Sequence, residues 1–130
     1  MPTLVHFEIP SDDIAMSKKF YNELFGWSIE KWPGSESMPE GMEYWMITTT
    51  DDEGNKALTG GMMKRQNVQQ QGITNYIDVK SVDEYSVKVK NLGGKVVVSK
   101  MSVPSMGYFA VCLDTENNTF AIWETDSTAK

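Results

Sequence analysis

The apolar and polar positions of the chain follow one order twice. From Val5 to Met63 an alternating stretch, a helical stretch and three further alternating stretches succeed one another, and the same order runs from Asn75 to Glu124. His6 and Asn75 open the two sets, so the repeat period is about 69 residues (75 minus 6). The pattern predicts two small modules that share one β-α-β-β-β architecture, and ligands tend to bind where such halves meet.

The first strand, at residues 4–9, alternates between apolar and polar side chains, which places His6 and Glu8 on one face. Each strand residue rises about 3.3 Å, so the Glu8 carboxylate lies about 6.6 Å from His6 along the chain, where it could supply a metal ligand or a hydrogen bond to the imidazole. We expect Pro10 to end this strand, because proline has no N–H to donate to a sheet.

The first helix is predicted to begin at a cap formed by Ser11 or Asp12 and to end at Gly26. We expect the following residues to form its apolar face: Ile14, Met16, Phe20, Tyr21, Leu24 and Phe25. The rest of the module is predicted as strands at 27–32, 43–50 and 57–63, an irregular loop at 33–41 and a tight turn at 51–55.

Residues 64–72 lack apolar periodicity and are predicted to link module one (about 3–63) to module two (about 73–126) within one domain. Ser81 and Glu84 form a predicted capping box at the start of the second helix. The residues of that helix expected to face the sheet are Val82, Tyr85, Val89 and Leu92. Strands are predicted at 73–79, 95–103, 107–114 and 119–125, followed by a frayed tail after Asp126.

Composition excludes several classes of partner. The chain of 130 residues is 40% hydrophobic and carries a net charge of −6, which suits one compact domain and disfavours nucleic acid and anionic membranes. The single cysteine, Cys112, lies in an apolar run and is expected to be a buried hydrophobic residue. Neither a signal peptide nor an apolar run of about 20 residues is present, so we expect a cytoplasmic protein.

Segments at both ends of the chain resemble one known family. The segments His6–Pro10, Lys19–Tyr21, Leu24–Trp27 and Asn118–Glu124 resemble the glyoxalase, bleomycin-resistance and extradiol-dioxygenase superfamily, whose members are also called vicinal oxygen chelate proteins. The resemblance implies an α+β fold in which two βαβββ modules form a cup-shaped, mixed eight-stranded sheet around a ligand cavity, commonly in a homodimer. A ferredoxin-like α+β barrel is a rival fold, but it does not predict the closing strand.

Metal-dependent members of this superfamily bind a divalent ion through four side chains, two from each module. Carried over by position, the resemblance assigns the first ligand to His6 and the last to Glu124. The second position falls in the strand that contains Gly61, and the third falls on Asn75, neither of which is a strong donor. The resemblance therefore implies an incomplete metal site, with either no cofactor or a divalent metal. If His6 and Glu124 meet, we expect a catalytic proton-transfer pair in which the histidine pKa is raised.

Two functions remain open. The first is a binding protein that holds or sequesters a small, partly aromatic ligand through Glu8, Trp45, Gly61 and Asn75. The alternative is a metal-dependent lyase, isomerase or dioxygenase that acts on a small oxygenated substrate through His6 and Glu124. A third possibility is a member without a small ligand whose surface binds another protein. The expected partners are a small molecule and a second copy of the chain, with no nucleic acid and no membrane.

Overall fold

The computed structural model describes residues 1–39, 41–66 and 72–130. In these ranges the chain forms eight strands and two α-helices, which confirms the predicted α+β fold with mixed strand pairing. The elements are β1 Leu4–Ser11, α1 Ile14–Phe25, β2 Ser28–Lys31, a 3-10 helix Pro33–Ser37, β3 Tyr44–Thr48, β4 Thr59–Lys64, β5 Thr74–Asp78, α2 Val82–Asn91, β6 Lys95–Val103, β7 Gly107–Leu113 and β8 Thr119–Thr125. Neither helix in the described ranges is long and apolar enough to cross a membrane. The predicted linker falls partly on residues 67–71, which lie outside the described residues.

The chain divides into two compact units: an N-terminal unit, His6–Ile73, and a C-terminal unit, Met1–Val5 with Thr74–Lys130. Strands in the N-terminal unit pair in the order β2-β3-β4-β1, with β1 parallel to β4 and the other pairs antiparallel. Strands in the C-terminal unit pair in the order β6-β7-β8-β5, with β5 parallel to β8. Each unit therefore has the topology that the repeat predicts, whereas the cup shape of the sheet stays a prediction.

The helix α1 covers one side of the sheet in the N-terminal unit. The buried core there consists of Ile9, Ile29, Ile47 and Met62, against which Ile14 and Tyr21 of the helix pack. The prediction for the rest of the helical face is wrong, because 57–69% of the surface of each of the following residues is exposed: Met16, Phe20, Leu24 and Phe25. The helix α1 therefore has apolar residues both on the side that packs against the sheet and on sides that do not.

The start of α1 differs from the prediction. Its N-cap is Asp13, whose side chain accepts a hydrogen bond of 3.1 Å from an amide in the first turn. Ser11 still belongs to β1, and Asp12 pairs with Arg65 at 3.1 Å, so neither is the cap. The strand also passes Pro10, because its parallel ladder with β4 continues to the pair of Ser11 and the last residue of β4.

The helix α2 covers one side of the sheet in the C-terminal unit. The buried core there consists of Val79, Val82, Ala110, Cys112 and Ile122, with Tyr85 and Val89 packed against it. Burial raises the pKa of the Cys112 thiol, as expected for a packed hydrophobic residue. Leu92 does not face the sheet, since it is 78% exposed at the C-cap, next to Gly93 with φ 96°.

The predicted capping box at α2 is half formed. The Ser81 hydroxyl accepts a hydrogen bond of 3.1 Å from the Glu84 amide, as predicted. The Glu84 carboxylate lies 3.3 Å from Lys88 Nζ, one helical turn further on. The serine half of the motif therefore marks where the helix begins, and the glutamate half contributes to an exposed ion pair.

The prediction of a frayed tail after Asp126 is wrong. The Ala129 carbonyl accepts a hydrogen bond of 2.8 Å from the Ser105 amide, and Ala129 is only 5% exposed. The Asp126 carboxylate accepts a hydrogen bond of 2.8 Å from the Thr128 amide. These contacts attach the last turn of the chain to the loop that precedes β7.

The same turn precedes the last strand of both repeats. Asp51 and Asp114 each accept, through Oδ1, hydrogen bonds from the amides two and four residues further on, at 2.8–2.9 Å. The third residue after each aspartate has a positive φ, 85° at Gly54 and 64° at Asn117. Asparagine tolerates this conformation best among residues with a side chain, which explains why the chain can have Asn117 at this position.

Candidate functional site

In the N-terminal unit, several of the predicted site residues lie on the side of the sheet opposite α1. Side chains alternate along a strand, so residues out of phase with the buried Ile9 and Met62 point away from the helix. We call this side the N-terminal far face. Its residues are His6 and Glu8 of β1, Tyr44 and Met46 of β3, and Thr59, Gly61 and Met63 of β4.

His6 shares a hydrogen bond with Tyr44 on this face. The distance from Nε2 to the phenolic oxygen is 2.7 Å, and the ring centroids lie 6.2 Å apart with 21° between the planes. Burial lowers the pKa of His6 below its ordinary value of 6.5, which favours the neutral imidazole. This direction is opposite to the raised pKa that we expected if His6 paired with Glu124.

The hydrogen bond exists because the strand between the two residues carries a glycine. Tyr44 lies on β3 and His6 on β1, with β4 between them, so the two backbones are about 9.6 Å apart (two strand spacings). A side chain at Gly61 would collide with the Tyr44 ring. Gly61 faces Glu8 in the ladder. The Tyr44 ring therefore covers Gly61, which lies in the strand where the resemblance implies a second metal ligand.

Trp45, a predicted ligand-binding residue, lies on the opposite side of the same sheet. It packs against the buried core beneath α1, and Lys18 Nζ lies 5.7 Å from the centroid of its ring. It therefore does not share a face with His6, Glu8 or Gly61. The proposed ligand contact of Trp45 stays a prediction.

An open depression of about 410 Å³ lies beside the start of α1. The residues that line it include Pro10, Ser11, Asp12, Met16, Phe20 and Arg65. It contains none of the residues of the His6 and Tyr44 pair. We therefore do not assign the predicted ligand site to this depression.

In the C-terminal unit, the side opposite α2 is rich in aromatic residues. The residues of this C-terminal far face are Tyr76 and Asp78 of β5, Phe109 and Val111 of β7, and Ala121 and Trp123 of β8. The rings of Tyr76 and Phe109 have centroids 6.4 Å apart, and Trp123 Nε1 donates a hydrogen bond of 2.9 Å to the Thr125 hydroxyl. Tyr76 and Phe109 were not predicted as site residues, although their alternation with apolar neighbours that face the core is a signal in the sequence.

The two repeats correspond with an offset of 70 residues rather than 69. Ile9 and Val79 are both buried in the core of their unit, which makes Tyr76 the counterpart of His6. Asn75 is exposed and lies level with Phe120, on the α2 side of its sheet. A shift of one residue moves a strand residue to the other face. Asn75 is thus not on the C-terminal far face.

Glu124 also lies on the α2 side of its sheet. Its Oε1 accepts a hydrogen bond of 2.8 Å from the Val82 amide at the first turn of α2, where the helix dipole favours a negative charge. The residue of β8 level with Tyr76 is Ala121, which has no donor atom in its side chain. The structure therefore gives the Glu124 carboxylate a capping role.

The residues present do not fit the divalent metal ion that the resemblance implies. Among the described residues, no three His, Cys, Asp or Glu side chains come together as a metal site would require. His6 Nε2 contacts a phenol, and the Glu124 carboxylate caps a helix. We therefore derive no chemical step through a metal.

Comparisons with known proteins agree with this fold. A family model described as bleomycin resistance protein-like N-terminal matches residues 3–50. The anthracycline biosynthesis proteins DnrV of Streptomyces peucetius and DauV of Streptomyces sp. (strain C5) are each 27% identical to the chain over 134 residues. The match covers 90% of this chain and 45% of either relative, so the chain spans about half their length.

A solved structure of similar fold is a variant of the methylmalonyl-CoA epimerase of Streptomyces coelicolor in complex with 2-nitronate-propionyl-CoA. It superposes with a TM-score of 0.65 at 14% identity, covering 94% of this chain and 96% of the other. Two repeats of four strands and one helix, in the pairing order described, define the fold class. The family model, the relatives and the fold support the resemblance of this chain to the glyoxalase and bleomycin-resistance superfamily.

Proposed function

We propose that the protein binds a small, partly aromatic molecule on a far face and holds it without metal-dependent chemistry. The observation that carries the proposal is the composition of the two far faces. One presents a hydrogen-bonded histidine and tyrosine where the resemblance implied metal ligands, and the other presents three aromatic rings. Such surfaces suit a flat ligand that has a few polar groups.

The two faces differ in the contacts that each offers to a ligand. Tyr76, Phe109 and Trp123 offer ring faces and edges for stacking. The paired His6 and Tyr44 offer hydrogen bonds, and the methionines of the N-terminal far face adapt to ligand shape. Glu8 and Gly61 remain in the proposed site, since both lie on the N-terminal far face. Asn75 and Trp45 do not lie on these faces and are left out of the proposal.

The names of the relatives support an aromatic ligand. The matching family model is described by bleomycin resistance, and both curated relatives are named for anthracycline biosynthesis. We extend to this chain a ligand of that kind, a planar aromatic natural product. The match covers only 45% of the length of those relatives. Any activity of a whole relative is therefore only a proposal for this chain.

Tryptophan fluorescence tests the proposal directly. We expect an anthracycline or bleomycin, added to the purified protein, to quench emission with a saturable curve, and calorimetry to give the same Kd. Phe109→Ala should weaken binding about tenfold or more, because it removes a ring from the proposed surface. The matched control Phe20→Ala removes an exposed ring from α1 and should leave the Kd unchanged. Linear, unsaturable quenching by every aromatic probe would overturn the proposal.

The metal-dependent lyase, isomerase or dioxygenase remains the alternative, and metal analysis separates it from binding alone. We expect mass spectrometry of the untagged protein to find no stoichiometric metal, and zinc, nickel, manganese or ferrous ions to leave Tm unchanged. A bound metal, or a rise in Tm of several degrees that His6→Ala abolishes, would favour the alternative.

We also propose that the chain forms a homodimer. The proposal follows from the resemblance to a superfamily whose members commonly form homodimers. Light scattering after gel filtration should give twice the 14.7 kDa mass of the chain. A mass equal to one chain across the micromolar range would contradict the dimer.

A further inference from the structure

Tyr44 is held from its main chain as well as from its ring. The buried Ser35 hydroxyl accepts a hydrogen bond of 2.8 Å from the Tyr44 amide and donates one of 2.9 Å to its carbonyl. The Trp32 amide donates a further hydrogen bond of 2.8 Å to the same carbonyl. The backbone of Tyr44 is therefore fixed on both sides before any ligand arrives, which lowers the entropy cost of using its side chain for recognition.

The Tyr44 ring is held by its packing over Gly61 and by its hydrogen bond with His6. The ring lies where a side chain at Gly61 would be, and its hydroxyl lies 2.7 Å from His6 Nε2. These contacts place a phenolic oxygen at a defined point on the N-terminal far face. Tyr44 is half-buried, so part of the residue remains accessible.

We propose that Tyr44 determines ligand specificity by selecting aromatic molecules that carry a ring hydroxyl over otherwise identical molecules that carry a methyl ether. This inference rests on the proposed function and names the ligand chemistry of the same site. A phenolic oxygen donates one hydrogen bond and accepts up to two, so it can bond His6 and a ligand hydroxyl at the same time. A methyl ether has no proton to donate and leaves a partly desolvated polar pair without that bond.

The experiment compares 2-naphthol with 2-methoxynaphthalene as probes on three proteins. In the wild type we expect 2-naphthol to bind about tenfold more tightly, which is the effect of one hydrogen bond in a desolvated site. Tyr44→Phe keeps the ring over Gly61 and removes the hydroxyl, so the preference should fall to about one while 2-methoxynaphthalene binds as before. Tyr85→Phe is the matched control, since it removes a hydroxyl from a tyrosine of α2 that lies outside both far faces, and it should retain the preference.

The outcomes separate the two proposals. Equal binding of both probes to the wild type, or a preference that survives Tyr44→Phe, overturns the inference and leaves aromatic binding intact. If neither naphthalene binds while an anthracycline does, the inference is also overturned. If no aromatic probe binds, the proposed function fails with it. Circular dichroism of each variant, with the melting curve, establishes that the variants are folded at the assay temperature.

Discussion

At the scale of single residues, the His6 and Tyr44 pair shows what alternation in a sequence reveals and what it hides. The position of His6 on a face with Glu8 follows from the period of two in β1 and is confirmed. Tyr44 could not be assigned to His6, because the two are 38 residues apart and meet only across a third strand. The signal was the glycine in that strand, which was interpreted as a ligand contact rather than as space for a side chain.

The first prediction concerns the protonation of His6. Burial lowers the pKa of His6 in the folded state below 6.5, so folding favours the neutral imidazole. The contribution of the neutral imidazole to the free energy of unfolding is therefore fully present above pH 6.5 and is lost as the pH falls through the folded-state pKa. NMR titration of the imidazole should show this lowered pKa, and the assignment is secure because the chain has one histidine. His6→Gln should remove this part of the pH dependence of unfolding. A midpoint at or above 6.5 would contradict the prediction.

The second prediction concerns Gly61. Gly61→Ala should lower the free energy of unfolding by about 1–3 kcal/mol, because the new methyl group overlaps the Tyr44 ring. Combining it with Tyr44→Ala should cost less than the sum of the two single changes, since the smaller residue removes the overlap. Urea unfolding measures each step. Gly72→Ala is the control, as nothing lies within 4 Å of its added methyl group, and additive costs would show that the ring does not oppose the methyl.

At the scale of secondary structure, most elements follow from the sequence, whereas the ends of several elements do not. The bounds of β6 and β8 agree with the prediction to the residue, since both strands are flanked by clear turns. The cap of α1 was misassigned because Ser11, Asp12 and Asp13 are consecutive acceptors of similar capping strength. The three residues differ in that Ser11 belongs to β1 and Asp12 pairs with Arg65, and both features depend on the tertiary structure.

The third prediction concerns the cap that β8 supplies to α2. Glu124→Ala should lower the free energy of unfolding by about 1 kcal/mol, because it leaves the Val82 amide without its carboxylate acceptor. Glu124→Gln should cost less, since an amide oxygen still accepts the hydrogen bond but has no charge to interact with the helix dipole. Chemical unfolding provides the comparison, with the exposed Glu23→Ala as control. No loss of stability in Glu124→Ala would argue against the capping role.

At the scale of the whole molecule, the sequence repeat predicted the topology but not the alignment of the two halves. An offset of 69 residues pairs His6 with Asn75, whereas the buried Ile9 and Val79 require an offset of 70 and pair it with Tyr76. This difference of one residue decides which side chains of β5 belong to the site, because successive residues of a strand point to opposite faces. The error does not change the predicted fold, because both alignments predict the same elements in the same order.

We expect the duplicated turn to make the stability of the whole molecule depend on pH in the acid range. Hydrogen bonds, chiefly from the Asn55 amide and the Asn118 amide respectively, lower the pKa of Asp51 and Asp114 below 3.8. A lowered carboxyl pKa gives stability that is present above 3.8 and lost as the pH falls through the folded-state value. Thermal unfolding between pH 5 and 2 should therefore show a fall in Tm that the Asp51→Asn and Asp114→Asn double variant reduces. Asp52→Asn removes a charge from the same kind of turn and is the control. An equally steep fall in the double variant would mean that other groups determine the acid response.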